Sequence, residues 1–194
     1  MEPRVQTAFA VWIRGLPAAG KSTLVAALTA QLAARGLDVA VLESDALRKV
    51  FTPHPRYDEE EREIFYEQMV YVGVLLVQHG VPVIFDATAN RSSYRNRARQ
   101  QISSFLEVYV DSPLETCIRR DPKGIYHGGL AGKAGAVPGL QVEYEPPKNP
   151  DLVIHGEEES PELAAERVIA KLAKEGYLEF ERTLRSAGTT KPSC

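Results

Sequence analysis

The stretch FAVWIRGLPAAGKSTLVAAL, residues 9–28, decides the fold. Phe9 to Ile13 is a short apolar run with aromatic and β-branched members, as expected of a buried parallel strand, and it leads into a glycine-rich turn. Beyond the turn, Leu24, Leu28 and Leu32 recur every four residues and mark a helix that Gly36 closes. Between strand and helix, Gly15-Leu16-Pro17-Ala18-Ala19-Gly20-Lys21-Ser22 fits the pattern G-x-x-x-x-G-K-[ST] in the setting it requires. Small residues let successive backbone N–H groups turn inward around phosphate oxygens. Lys21 brings positive charge to the β and γ phosphates, and the helix N-terminus adds its dipole. Gly15 to Thr23 is therefore the expected ATP-binding segment, with Ser22 as the Mg²⁺ ligand. A turn that binds nothing has no comparable need for a lysine followed by two hydroxyl residues.

Outward from this unit, strand-like and helix-like segments alternate. Asp38 to Leu42 reads as a second strand. Asp58 to His79 carries Phe65, Met69, Val72 and Leu76 at helical spacing behind an acidic start, and Gly80 ends it. Val81 to Phe85 is a third strand ending at Asp86, Tyr94 to Ile102 a helix, Phe105 to Val110 a fourth strand and Pro113 to Arg119 a short helix. From Asp121 to Pro150 the composition turns to glycine, proline and polar residues without period, which marks an active-site lid rather than a linker, because strand-like Asp151 to Ile154 and a helix capped by Ser160-Pro161 follow. The expectation is an α/β P-loop NTPase fold: a five-stranded, mostly parallel sheet flanked by helices. One domain spans residues 1–178, with a lid at about 120–150 and a polar tail at 179–194.

The 194 residues hold 23 basic and 26 acidic side chains, a balance that gives no global reason to expect nucleic acid or an anionic membrane as partner. Cys117 and Cys194 stand far apart with no metal-binding spacing, and the four histidines have none either, so a reducing, cytoplasmic setting is expected without a transition metal. No segment reads as a signal peptide or a membrane span.

Asp45, just beyond the second strand in LESDALR, falls where parallel-sheet proteins bind ligands, beside the phosphate loop. A carboxylate there can orient an acceptor hydroxyl; alternatively it caps the short helix Ala46 to Val50. Asp45 and Lys21 are the catalytic candidates. Arg48, three residues on, can share a helical face with Asp45 and bind an anion, or form a plain surface ion pair. Arg119 and Arg120 precede the lid, as phosphate contacts or as solvated charges. Asp86 can order water on Mg²⁺, bind an acceptor hydroxyl or make a turn with its own backbone. Trp12 and Cys117 read as core.

These residues resemble the adenylylsulfate (APS) kinase family, which phosphorylates the 3′-hydroxyl of adenosine 5′-phosphosulfate with ATP. GLPAAGKST resembles the family's GLSGAGKTT, LESDALR its LDGDNVR, and Arg62 falls on the arginine of FSxxDR. RDPKGIY is nearly its RDPKGLY, and YEPPKNPDLVI runs like YEAPENPDLVL without a gap. The likeness spans about Ala10 to Ile154. It implies Asp45 as base, acceptor and phosphate roles for Arg48, Arg62 and Lys123, a small-molecule acceptor, a lid that closes over both nucleotides, and a homodimer.

Departures gather where the family grips its acceptor. FISPYR becomes Ala87-Thr88-Ala89-Asn90-Arg91-Ser92, the lid phenylalanine of GFTG becomes Val137, an asparagine becomes Phe65, and Asp86 replaces a small residue. Asp86, Asn90 and Val137 therefore join the acceptor-binding candidates, and an adenine would lose an aromatic platform at Val137. Two other readings stay open: a related kinase with another hydroxyl acceptor, and a nucleotide-binding regulator without turnover, which the presence of both Lys21 and Asp45 opposes.

Overall fold

A computed structural model describes residues 8–132 and 136–178. Its sheet is built from β1 (Ala10–Arg14), β2 (Ala40–Glu43), β3 (Val83–Asp86), β4 (Phe105–Asp111) and β5 (Leu152–His155). The order is β2-β3-β1-β4-β5, and each of the four pairings is parallel, so the sheet is wholly rather than mostly parallel. Seven helices accompany it among the described residues: α1 (Lys21–Ala33), α2 (Ser44–Phe51), α3 (Glu59–Gln78), α4 (Ser92–Gln101), α5 (Leu114–Arg120), α6 (Ile125–Leu130) and α7 (Pro161–Lys174).

Alternate residues of β1 supply two cores. Phe9, Val11 and Ile13 pack with Leu24, Leu28 and Leu32 of α1 and with Val168 and Leu172 of α7. Ala10 and Trp12 pack on the other face with Phe65 and Met69 of α3 and Tyr94 and Ala98 of α4. Burying one such large side chain is worth about 1.5–3 kcal/mol, so this alternation holds β1 at the centre with helices on both sides. Trp12 is core, as expected: its indole stacks on Phe85 at 4.6 Å between centroids, and its Nε1–H donates to the Ala87 carbonyl at 3.2 Å. Gly73 lets α3 sit close to that stack, since a Cβ there would lie 2.1 Å from Cζ of Phe85.

Local chemistry sets the ends of the elements. The Asp58 carboxylate accepts from the Glu61 N–H and begins α3, and Ser160 accepts from the Leu163 N–H with Pro161 in the first turn of α7. β3 starts at Val83 rather than Val81, because Val81 N–H bonds back to Leu76 and Pro82 has no N–H to give a ladder. The Pro82 carbonyl accepts from Ala40 N–H at 2.8 Å, which starts β2 at Ala40 rather than Asp38. The lid contains a helix that its composition hides: both oxygens of Asp121 accept backbone N–H groups, from Ile125 at 2.8 Å and His127 at 2.9 Å, and so launch α6. The expected tail at 179–194 and lid residues 133–135 lie outside the described residues. Among the described residues no helix is long and apolar enough to cross a membrane.

Candidate active site

The carboxyl ends of β1, β2 and β3 meet the lid around a cleft of about 790 Å³, at the upper end of ordinary ligand sites. Its floor is the loop between β1 and α1. Gly15 sits so close to β4 that a Cβ would fall 2.5 Å from the Val110 carbonyl oxygen, and Gly20 takes φ 107° at the entrance to α1. No side chain caps α1, so its first N–H groups remain for an anion. Ser112 Oγ donates to the Ala19 carbonyl at 3.0 Å and steadies the loop from β4.

Lys21 Nζ donates to the carbonyls of Gly15 and Leu16 at 3.2 and 2.9 Å. Burial pushes its ammonium below the usual lysine value, while the carboxylates of Asp86 and Asp45 pull it back. Ser22 Oγ donates to Asp86 Oδ2 at 2.7 Å. Asp86 is buried, which raises its carboxyl against the opposing pull of Lys21 and the Ser22 bond. A hydroxyl and a carboxylate at this spacing offer hard oxygen ligands, which suits Mg²⁺ rather than a softer metal. No cluster of three or more metal-binding side chains occurs among the described residues. The donor set therefore fits a cation that brings phosphate oxygens as its other ligands. Its bond to Ser22 replaces the turn with its own backbone.

Across the cleft, Asp45 lies in the first turn of α2, whose cap position is Glu43, so it is not the helix cap. Its Oδ2 accepts from Lys123 Nζ of the lid at 2.6 Å, and this bond holds the lysine ammonium above its ordinary value. Arg48 does not pair with Asp45. It donates to Glu61 Oε1 at 3.0 Å and lies over the Phe65 ring at 3.9 Å, because the helical turn aims it at α3. Arg62, also in the wall, donates to the carbonyls of Tyr57 and Ala136 at 3.0 and 2.6 Å and to Asn90 Oδ1 at 3.3 Å.

The lid closes the top. Tyr126 is buried and its hydroxyl donates to the Pro17 carbonyl at 3.1 Å, tying lid to phosphate loop. Val137 and Arg120 line the cleft, and Arg120 also donates to the Gly156 carbonyl at 3.0 Å. Arg119 does not line it: one turn of α5 carries its guanidinium to Thr116 at 3.1 Å and Glu157 at 3.5 Å. Asn90 is likewise held beneath the wall, its amide spent on Arg62 and the Glu143 carbonyl. Sequence reasoning missed Tyr57, whose half-exposed ring lines the cleft and whose φ is 59°. The signal was present: Tyr57 precedes Asp58, the cap of α3, and so stands at the fixed mouth of that helix.

A wholly parallel sheet with a phosphate loop whose serine is bonded to an aspartate at the end of the neighbouring strand defines a P-loop kinase of small molecules. A family model described as adenylylsulphate kinase matches residues 7–155. The chain is 36% identical over 170 residues to a probable adenylyl-sulfate kinase of Pyrococcus abyssi, covering 88% of this chain and 98% of that one. It is 38% identical over 168 residues to an adenylyl-sulfate kinase of Synechococcus sp. strain JA-2-3B'a(2-13), covering 87% and 96%. The structure of the Mycobacterium tuberculosis APS kinase CysC in complex with AMPPNP and APS superposes with a TM-score of 0.81 at 31% identity, over 86% of this chain and 98% of that one. The chain belongs to the adenylylsulphate kinase family and is an ATP-dependent kinase.

Proposed function

We propose that this kinase transfers the γ-phosphoryl group of ATP to the 3′-hydroxyl of adenosine 5′-phosphosulfate. One observation carries the reading: in a single cleft, the phosphate loop faces a carboxylate, Asp45, that a lid lysine holds at 2.6 Å. Asp45 orients the acceptor hydroxyl in line with the γ-phosphorus and takes its proton as the new P–O bond forms and the bond to the bridging oxygen of ADP breaks. Such a transfer asks more for positioning and charge stabilisation than for a strong base. Lys123 fixes the orientation of Asp45 and adds positive charge from the lid, while Lys21 neutralises the β and γ oxygens. Ser22 and Asp86 would hold Mg²⁺, which would supply charge neutralisation on the polyphosphate. Arg48 and Arg62 give the acceptor wall the positive potential a phosphosulfate requires. Tyr57 offers the adenine a ring face, in place of the aromatic that Val137 does not provide.

A coupled ADP-release assay with APS beside a panel of nucleoside and sugar acceptors tests this, with Asp45→Asn as control. Turnover with APS, lost in the control, supports the reading; turnover on another acceptor and none on APS rejects it. Asp86 and Phe65, both departures from the family, favour that second outcome as the alternative reading.

The homodimer implied by the resemblance belongs to the same proposal. Ile64, Tyr71 and Leu75 expose apolar surface at helical spacing along α3, a surface a second copy would cover. Light scattering on the wild type and on Tyr71→Glu tests it: a dimer that the substitution dissociates is expected, and a wild-type monomer rejects it.

A further inference from the structure

Arg14 ends β1 and directly precedes the phosphate loop, yet its side chain is fully buried on the α3/α4 side of the sheet. A buried guanidinium must place its N–H donors and its charge. Nη1 lies 3.5 Å from Glu107 Oε1, but the same oxygen accepts from Arg95 Nε at 2.5 Å, so two buried arginines share one buried carboxylate. The guanidinium also lies 5.8 Å from the centre of the Tyr109 ring of β4, and its other hydrogen bonds go to the returning limb of the lid. Nε donates to the Tyr144 hydroxyl oxygen at 3.1 Å, Nη2 donates to the Glu145 carbonyl at 2.6 Å, and the guanidinium carbon lies 4.8 Å from the centre of the Tyr144 ring.

That limb is fastened from its other side as well. Glu145 N–H donates to the Asn90 carbonyl at 2.8 Å, and Glu145 Oε2 accepts from the backbone and hydroxyl of Ser92 at 2.8 and 2.7 Å. Asn90 in turn receives Arg62, which reaches the lid again at Ala136. A continuous set of hydrogen bonds thus runs from the strand that launches the phosphate loop, through residues 144–145, to an arginine on the acceptor wall.

We propose that Arg14 is a positioning residue for phosphoryl transfer: it pins the return limb of the lid to β1 and thereby fixes the acceptor wall relative to the phosphate loop. The proposal rests on the kinase reading above but concerns a residue that does not line the cleft. Because the loop's own backbone and Lys21 grip ATP, disturbing Arg14 should be felt on the acceptor side.

Arg14→Met keeps the volume and leaves the Arg95–Glu107 pair intact; Tyr144→Phe removes a single bond and is the milder variant. Both are expected to raise KM for the acceptor, by about tenfold or more in Arg14→Met, with KM for ATP within about threefold. Arg14→Lys, which keeps the charge and loses the fork, should not restore the acceptor KM. Hydrogen exchange at the Glu145 amide should quicken in both variants without any substrate present. Equal rises in both KM values, full rescue by lysine, or unchanged exchange at Glu145 would overturn the proposal. If Arg14→Met does not accumulate as folded protein, Tyr144→Phe decides by the same two readouts. Failure of the wild type on APS counts against the kinase reading alone, since the exchange measurement and kinetics on whichever acceptor turns over still judge Arg14.

Discussion

Ser22 Oγ and Asp86 Oδ2 stand 2.7 Å apart, joining the first turn of α1 to the carboxyl end of the neighbouring strand β3. The contact ties the helix behind the phosphate loop to the sheet at the floor of the cleft.

Asp86 is expected to cost stability while serving catalysis. Its folded carboxyl is raised above its unfolded value, so its contribution is fully present below the unfolded pKa and is lost as pH rises through the folded one. At neutral pH the ligand-free Asp86→Asn protein should melt higher than the wild type, with the gap closing toward pH 4. The same variant should need roughly 10–100-fold more Mg²⁺ for half-maximal turnover. Melting curves across pH and a Mg²⁺ titration of activity check the two halves separately.

Asp45→Asn should lower kcat by about 10²–10⁴-fold, the usual range for a lost general base, with ATP affinity nearly unchanged. Titration calorimetry with a non-hydrolysable ATP analogue beside steady-state kinetics makes the comparison, and parallel losses would remove Asp45 from the chemistry.

Lys123→Met should cost little stability, because its pair with Asp45 is solvent-exposed and such pairs are worth only about 0.2–1 kcal/mol. Turnover should fall at least about tenfold, since a positive charge beside the transferring group goes with it. A melting temperature close to wild type with lost activity is the expected combination.

Tyr57→Ala should raise KM for a nucleotide acceptor by roughly 5- to 100-fold, the loss of one base–aromatic stack, and leave KM for ATP as it was. An acceptor without a base should be indifferent to the change, which makes a paired comparison of acceptors the informative measurement.

Gly73→Ala addresses the fold alone. A methyl group there meets the Phe85 ring at 2.1 Å beneath Trp12, and such overpacking costs about 1–3 kcal/mol. At about 2–4 °C per kcal/mol for a chain of this size, a thermal melt resolves the loss, with both KM values unmoved in the folded fraction.

The parts legible in the sequence are those written in consecutive residues. The phosphate loop, the period of α1 and α3 and the position of Asp45 beyond β2 all follow from neighbours a few positions apart. What escaped depends on distant partners: Ser22 meets Asp86 across 64 residues, Lys123 meets Asp45 across 78, and Arg14 meets Glu107 across 93. Helical spacing suggested that Arg48 and Asp45 could act together, but the side chains part because α3 offers Glu61 and the Phe65 ring to one of them. Arg119 and Arg120 read alike in sequence, and only the angle between successive residues of α5 sends one to the cleft and the other to Glu157.

The central place of β1 governs when a ribosome can complete the nucleotide-binding loop. β1 emerges first, but its ladders are with β3 and β4, and Trp12 waits for a carbonyl 75 residues further on. Until then Phe9 to Ile13 is an unpaired apolar strand on a nascent chain, followed by a loop whose shape depends on Val110 of β4 and on Ser112 just beyond it. Nucleotide can therefore assist folding only once β4 has been made and has joined β1.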